Sequence, residues 1–126
     1  MTPGAVLDAG GLIAFERGSR KVVALLARAH EIDAAITIPS TALAQTIRRP
    51  ERQVRLARLL RSPSASVVPL DRADAVDVGR LLAASGTADI ADAHVVVCAR
   101  RAGQRVVTSD SDDLRHLDPA LEVVEA

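Results

Sequence analysis

The sequence is nearly devoid of aromatic residues: Phe15 is the only phenylalanine, and tyrosine and tryptophan are absent. That excludes recognition of single strands on a stacking platform of the RRM or OB type. Any nucleic acid would have to be held by arginine, backbone amides and metal. Cysteine is almost as scarce. A single residue, Cys98, excludes an internal disulfide framework and a cysteine-rich zinc site. It falls in the apolar run of an expected helix and reads as a small buried hydrophobe. Net charge is also missing: 16 basic residues balance 16 acidic ones, so no global field draws in a polyanion or an anionic membrane. Neutrality still leaves room for separated patches. Lysine occurs once, as Lys21, and all other basic residues are arginine. No apolar run approaches the length of a membrane span, and Met1-Thr2-Pro3-Gly4 carries no basic region ahead of a long apolar stretch. The expectation is a soluble cytoplasmic domain without a signal peptide.

Within 126 residues, 48% hydrophobic and 25% charged, short apolar runs alternate with helical patterns. Ala5–Leu7 reads as a buried strand, closed by Asp8 and an expected turn at Gly10-Gly11. Ser19 caps a helix running to about His30, and Ala35–Ile38 is a second strand stopped by Pro39. Ser40 or Thr41 is expected to cap the next helix, which Pro50 ends. Glu51–Arg61 is strongly amphipathic, with Arg52, Arg55, Arg58 and Arg61 opposite Leu56, Ala57 and Leu60. Val67–Leu70 reads as an edge strand, and Asp71 opens a helix ending near Gly86. A helix over Asp89–Ala102, a strand over Arg105–Thr108, a short helix near Asp112–Leu117 and a strand at Leu121–Val124 complete the chain. The alternation predicts one α/β domain over residues 1–126, with a mainly parallel sheet.

The chemistry lies in the placement of aspartates. Asp8 and Asp110 each follow a strand, and parallel strands present their carboxyl ends at one edge of a sheet. Asp89 and Asp92 stand three apart at a helix start, a spacing that puts both on one face. If the first and fourth strands are neighbours, these acids meet. Convergent carboxylates suit magnesium or manganese, and a two-metal site clamps the attacking and leaving oxygens of a phosphodiester. Each acid also has a purely local reading, as a turn former or helix cap.

Other motifs fail on spacing. Asp110-Ser111-Asp112-Asp113 is not a calcium loop, since Arg115 stands where the glycine is required and Leu121 where the closing glutamate is required. There is no Walker loop, G-x-G-x-x-G or G-x-S-x-G. A receiver domain needs a lysine near the last acid, and a HAD-type phosphatase a second aspartate where Gly10 stands. His30, His94 and His116 are too scattered for a ligand set, and His94 reads as a satisfied helix residue on a different face from Asp92. The arginines Arg48, Arg49, Arg52 and Arg55 offer a face that could track phosphates or simply be solvated.

Four segments in order, Val6–Ala14, Ile38–Ala44, Asp92–Arg100 and Val107–Leu114, resemble the PIN-domain proteins of the VapC toxin group. The resemblance implies a PIN-like three-layer α/β/α sandwich and a magnesium- or manganese-dependent endoribonuclease, the toxin of a type II toxin–antitoxin pair. It further implies an RNA substrate, a homodimer and a VapB-like antitoxin that covers the active site. On that comparison Asp8, Asp92 and Asp110 are the first, third and fourth acids, and Thr108 is the hydroxyl residue that orients a carboxylate or water. The family's second acid, usually glutamate, is replaced by Gln45. Glutamine keeps an oxygen donor without the charge. Asp89 is the natural substitute, with Gln45 and Asp112 in support. The same replacement opens an alternative: a catalytically weakened PIN-like module that binds antitoxin or RNA without efficient cleavage.

Overall fold

A computed structural model describes residues 3–126. Five strands, β1 (Ala5–Leu7), β2 (Ile36–Pro39), β3 (Ala65–Val68), β4 (Arg105–Thr108) and β5 (Val123–Glu125), form one sheet in the order β3-β2-β1-β4-β5. Every pairing is parallel. The helices are α1 (Ala9–Glu16), α2 (Arg20–Glu31), α3 (Ser40–Thr46), α4 (Val54–Arg61), α5 (Arg72–Ser85), α6 (Ile90–Ala102) and α7 (Ser111–Leu117). They sandwich the sheet in a PIN-like α/β/α architecture. The central strand β1 is buried along its length, as a strand with both faces covered must be.

Helix α6 lies across β1, β2 and β4, and residues from Ala93 to Ala99 are buried all round it. No single described helix is long and apolar enough to cross a membrane. The ends of α6 are set by Asp89, whose side chain caps the first turn, and by Gly103, which takes the left-handed conformation that releases the chain into β4. On the other side α1 packs with α2 and α4 and touches β4.

Three local expectations change. Gly10 and Gly11 make no turn; they form the first turn of α1, which Asp8 caps. Their lack of a side chain is needed for close approach: a Cβ on Gly11 would meet the Val107 carbonyl oxygen at 2.5 Å, and one on Gly10 would strike Ser109. Ser40 does not cap α3 but begins it, and its Oγ accepts from the Leu70 amide at 3.1 Å, while Pro39 holds the cap position. The arginine-rich helix is not continuous from Glu51. Pro50–Arg52 is a 3₁₀ turn, and the Gln53 amide group joins it to the end of α3, donating to the Thr46 carbonyl and accepting from the Arg48 amide.

The crowding at Gly11 contrasts with Gly79, where an added Cβ meets nothing within 4 Å. Gly11→Ala is expected to lower unfolding stability by about 1–3 kcal/mol, the cost of overpacking against backbone. Gly79→Ala, in the middle of α5, is expected to raise it by roughly 0.5–1 kcal/mol. Urea denaturation of the two variants checks both signs.

Candidate active site

The sheet order makes β1 and β4 neighbours in register, Leu7 opposite Val107, so that Asp8 emerges beside Thr108. This is where strand order reverses direction, the place at which open parallel sheets present their functional groups. Asp8 is 4% exposed. One carboxylate oxygen accepts from the Gly11 amide at 2.8 Å. Thr108, fully buried, accepts from the Asp110 amide at 2.8 Å and hydrogen-bonds the Asp8 carboxylate. One hydroxyl thus ties together the acids that end the two strands.

Asp92, in the first turn of α6, is partly buried, and it is the group that senses all the others. Burial, then the charges of Asp89, Asp113, Asp8 and Asp110, push its pKa up to about 6. Burial and the charge of Asp110 also raise Asp8, against the opposing hydrogen bonds from Thr108, Gly11 and Gly10. Asp89 has a double position. Its Oδ1 accepts from the Asp92 amide at 2.9 Å, a helix cap, and the same side chain lines a cavity of about 200 Å³ shared with Asp92, Asp113 and His116. Asp110 is exposed at the mouth, ahead of α7.

The structure therefore brings Asp8, Asp89, Asp92 and Asp110 into one electrostatic cluster, with Thr108 beneath. Asp113 joins it, rather than its neighbour Asp112, the residue expected from the sequence in the supporting place. Asp112 is exposed and does not line the cavity. Gln45 is exposed on α3 and makes no hydrogen bond to the acids among the described residues. Arg48, Arg49, Arg52 and Arg55 lie away from the acids, exposed on the α3–α4 connection and on α4.

This all-oxygen donor set fits magnesium or manganese by its chemistry. A buried and a half-buried carboxylate, Asp8 and Asp92, with exposed Asp89, Asp110 and Asp113 beside them, form a cluster that a cation would stabilise.

The sequence profile of the PIN domain matches residues 5–119. The chain belongs to the PIN domain family. Solved structures similar to this PIN domain include FitAB bound to the IR36 DNA fragment, at 16% identity and a TM-score of 0.67, covering 96% of this chain and 94% of that one. VapBC2 from Rickettsia felis, bound to a DNA fragment from its promoter, aligns at 15% identity with a TM-score of 0.67 over 97% and 98% of the two chains. FitAcB from Neisseria gonorrhoeae gives 19%, 0.66, 94% and 95%. At these identities the likeness shows the fold. No curated protein matches by sequence.

A second polar group is buried deeper in this PIN domain. His94, fully buried, places Nε2 3.0 Å from Asp74 of α5 and Nδ1 2.8 Å from the Thr41 hydroxyl of α3. Arg101 closes on the other Asp74 oxygen at 2.7 Å. That hydrogen bond is the main reason the Asp74 pKa is lowered, against the effect of burial. Cys98, one turn along from His94, completes a set whose ligand atoms lie within 4.8 Å of one another. Burial pushes its thiol up to about 11, so it stays protonated. A guanidinium already neutralises Asp74, and no buried side-chain polar atom among the described residues lacks a partner. The arrangement is a strut joining α3, α5 and α6, distinct from the acid cluster.

Two outcomes follow from this geometry. Asp74→Ala strips a buried partner from His94 and Arg101 and is expected to cost about 3 kcal/mol in chemical denaturation. For the acid cluster the sign is opposite to that of an ion-paired carboxylate. Asp92, with its folded pKa raised to about 6 from 3.8, binds its proton more tightly in the native state, so it favours folding below the unfolded pKa and that contribution is lost as pH rises through 6. Metal must displace the same proton. Manganese affinity by calorimetry is expected to climb between pH 5 and roughly 7, with proton release, and to level off above that.

Proposed function

We propose that this PIN domain is a magnesium- or manganese-dependent endoribonuclease, the toxin of a VapBC-type pair. It would work in the cytoplasm as a homodimer restrained by a VapB-like antitoxin. The observation that carries the nuclease reading is the convergence on Asp92 of carboxylates from three separated segments, at the carboxyl edge of β1 and β4. The toxin reading draws support from the fold's likeness to FitAB and VapBC2.

Asp8, Asp92, Asp110 and Asp89 would hold the cation, with Asp113 on the same wall. When bound, the cation supplies charge neutralisation at a phosphodiester and a lowered pKa for an attacking water. The protein's own part is orientation. Thr108 and the Gly11 amide fix the Asp8 carboxylate, and the Asp89 cap fixes the turn that carries Asp92. Pre-set ligands spare reorganisation at the moment of reaction. Arg48 and Arg49 line a hollow of about 280 Å³ with Arg17, while Arg52 is exposed on the 3₁₀ turn and Arg55 on α4. These side chains are available to phosphates. Gln45 would assist through its amide oxygen, and Asp112 from the outer edge.

A specific observation favours a second reading, a weakened module that binds antitoxin or RNA without efficient cleavage: the α3 position of the family's second acid is neutral, and exposed Gln45 makes no hydrogen bond to an acid among the described residues. The two readings part on Asp89. Asparagine caps a helix as well as aspartate does, so Asp89→Asn removes the charge and keeps the fold. On the nuclease reading, Asp8→Asn and Asp92→Asn abolish manganese-dependent RNA cleavage and growth arrest, and Asp89→Asn lowers cleavage by on the order of a hundredfold. Full activity in Asp8→Asn and Asp92→Asn would overturn the assignment. Wild-type protein that takes up no manganese in calorimetry would establish the weakened module instead.

A further inference from the structure

A groove of about 700 Å³, roomier than the acidic cavity, lies between α5, α6 and α7, floored by Leu81, Ala84, Val97 and Leu117 and edged by Arg80, Arg100 and Arg101 with Asp77. Leu117 also walls the cavity that holds Asp89 and Asp92, and Ala84 of the groove stands three residues before Thr87 of that cavity. The two hollows are neighbours that meet at Leu117. Asp92 opens α6 and Arg100 stands eight residues along it, about 12 Å by the helical rise.

We propose that this groove is the path of the RNA strand beyond the cleavage site, with its arginines receiving backbone phosphates a few nucleotides from the scissile one. The inference rests on the nuclease reading and deepens it. Three features select a strand of RNA as the occupant. First, the groove adjoins the cavity of the proposed reacting centre, with Leu117 common to both. Second, its arginines are held in place with donors left over. Arg100 uses only Nε, on Asp118 at 2.9 Å, and Arg101 uses only Nη2, on Asp74 at 2.7 Å and Asp77 at 3.7 Å. Arg80 has no ion pair among the described residues. A guanidinium has five donors, so each retains free N–H groups facing outward, and both Arg100 and Arg101 are about half exposed. Third, the floor is aliphatic, a surface for sugar and base faces in a chain with no aromatic platform. Asp74, Asp77 and Asp118 offset the arginine charges, so the groove acts through aimed forks rather than a broad positive field. Contacts of this kind position a strand without reading its sequence.

The test uses the intact protein, synthetic RNAs lengthened one nucleotide at a time on either side of a mapped cleavage site, and the variants Arg80→Gln and Arg100→Gln. Arg101 is left alone because it balances buried Asp74. Arg28→Gln, on the exposed Arg28–Glu31 pair of α2, is the control. The expected result is a rise in the half-saturating RNA concentration of roughly two- to fivefold for each groove variant, with kcat and manganese affinity unchanged. The slope of log K against log salt is expected to fall by about 0.7 per arginine removed. The penalty should vanish for RNAs too short on one side to reach the groove. Unchanged half-saturation and salt slope in both variants, with wild-type protein still cutting RNA, would overturn the groove and leave the nuclease reading intact. Variants that weaken only the grip of a protein partner would overturn it in the same way. Wild-type protein that neither binds nor cuts RNA would overturn both.

Discussion

The pairing of β1 with β4, and the absence of a side chain on Gly11 that lets α1 settle against Val107, is the constraint from which the site follows. Parallel strands in register end at the same height, so Asp8 and Thr108 come out side by side. The helix that begins at Ala9 then takes Asp8 as its cap, which fixes one carboxylate oxygen on the Gly11 amide. The remaining acids arrive on the helix α6 that crosses both strands and on the helix α7 that leaves β4. A bulky residue at the start of α1 would push that helix off β4 and spread the acids, whatever their own side chains did.

Electrostatics then works against the fold. Burial raises the proton affinity of Asp92 and Asp8, the neighbouring aspartates add to it, and for Asp8 the backbone amides of Gly10 and Gly11 with the Thr108 hydroxyl offset only part of the rise. The protein tolerates the strain because the surrounding structure is well packed: Val6, Leu7, Val106, Val107 and Leu114 beneath the acids are all fully buried. The instability is local, and it is the property on which the proposed cation binding would draw.

Much of this was legible in the sequence because the decisive residues sit at strand ends and helix starts, where short-range signals are strong. Ala5-Val6-Leu7 ahead of Asp8, the Ser19 and Asp71 caps, and Gly86 and Gly103 at helix ends needed no tertiary information. What sequence reading did not reach depended on rotation or on distant partners. Asp112 and Asp113 are neighbours in the chain, and only the starting residue of α7 decides which of them, about 100° apart, faces the cavity. His94 was read as a satisfied helix residue, but Asp74 lies 20 residues before it on α5, and Thr41 sits 53 residues away on α3. Nothing in local pattern announces such a partnership. Gly10-Gly11 was read through the conformational freedom of glycine, whereas the fold uses its small size.

The strut of Thr41, His94 and Asp74 has a mechanical meaning for the cleft above it. It pins the amino-terminal turn of α3 and the first turns of α5 to α6, two residues along from Asp92. Parting those helices would break one buried and one part-buried hydrogen bond and disturb a carboxylate in the interior. The α6 wall is therefore fixed against α3 and α5, whereas the facing wall, α7, lies outside the strut. Whatever enters must adapt its own shape to the opening, and any adjustment on the protein's side falls to the carboxylate torsions and to the exposed rim around Asp110 and α7.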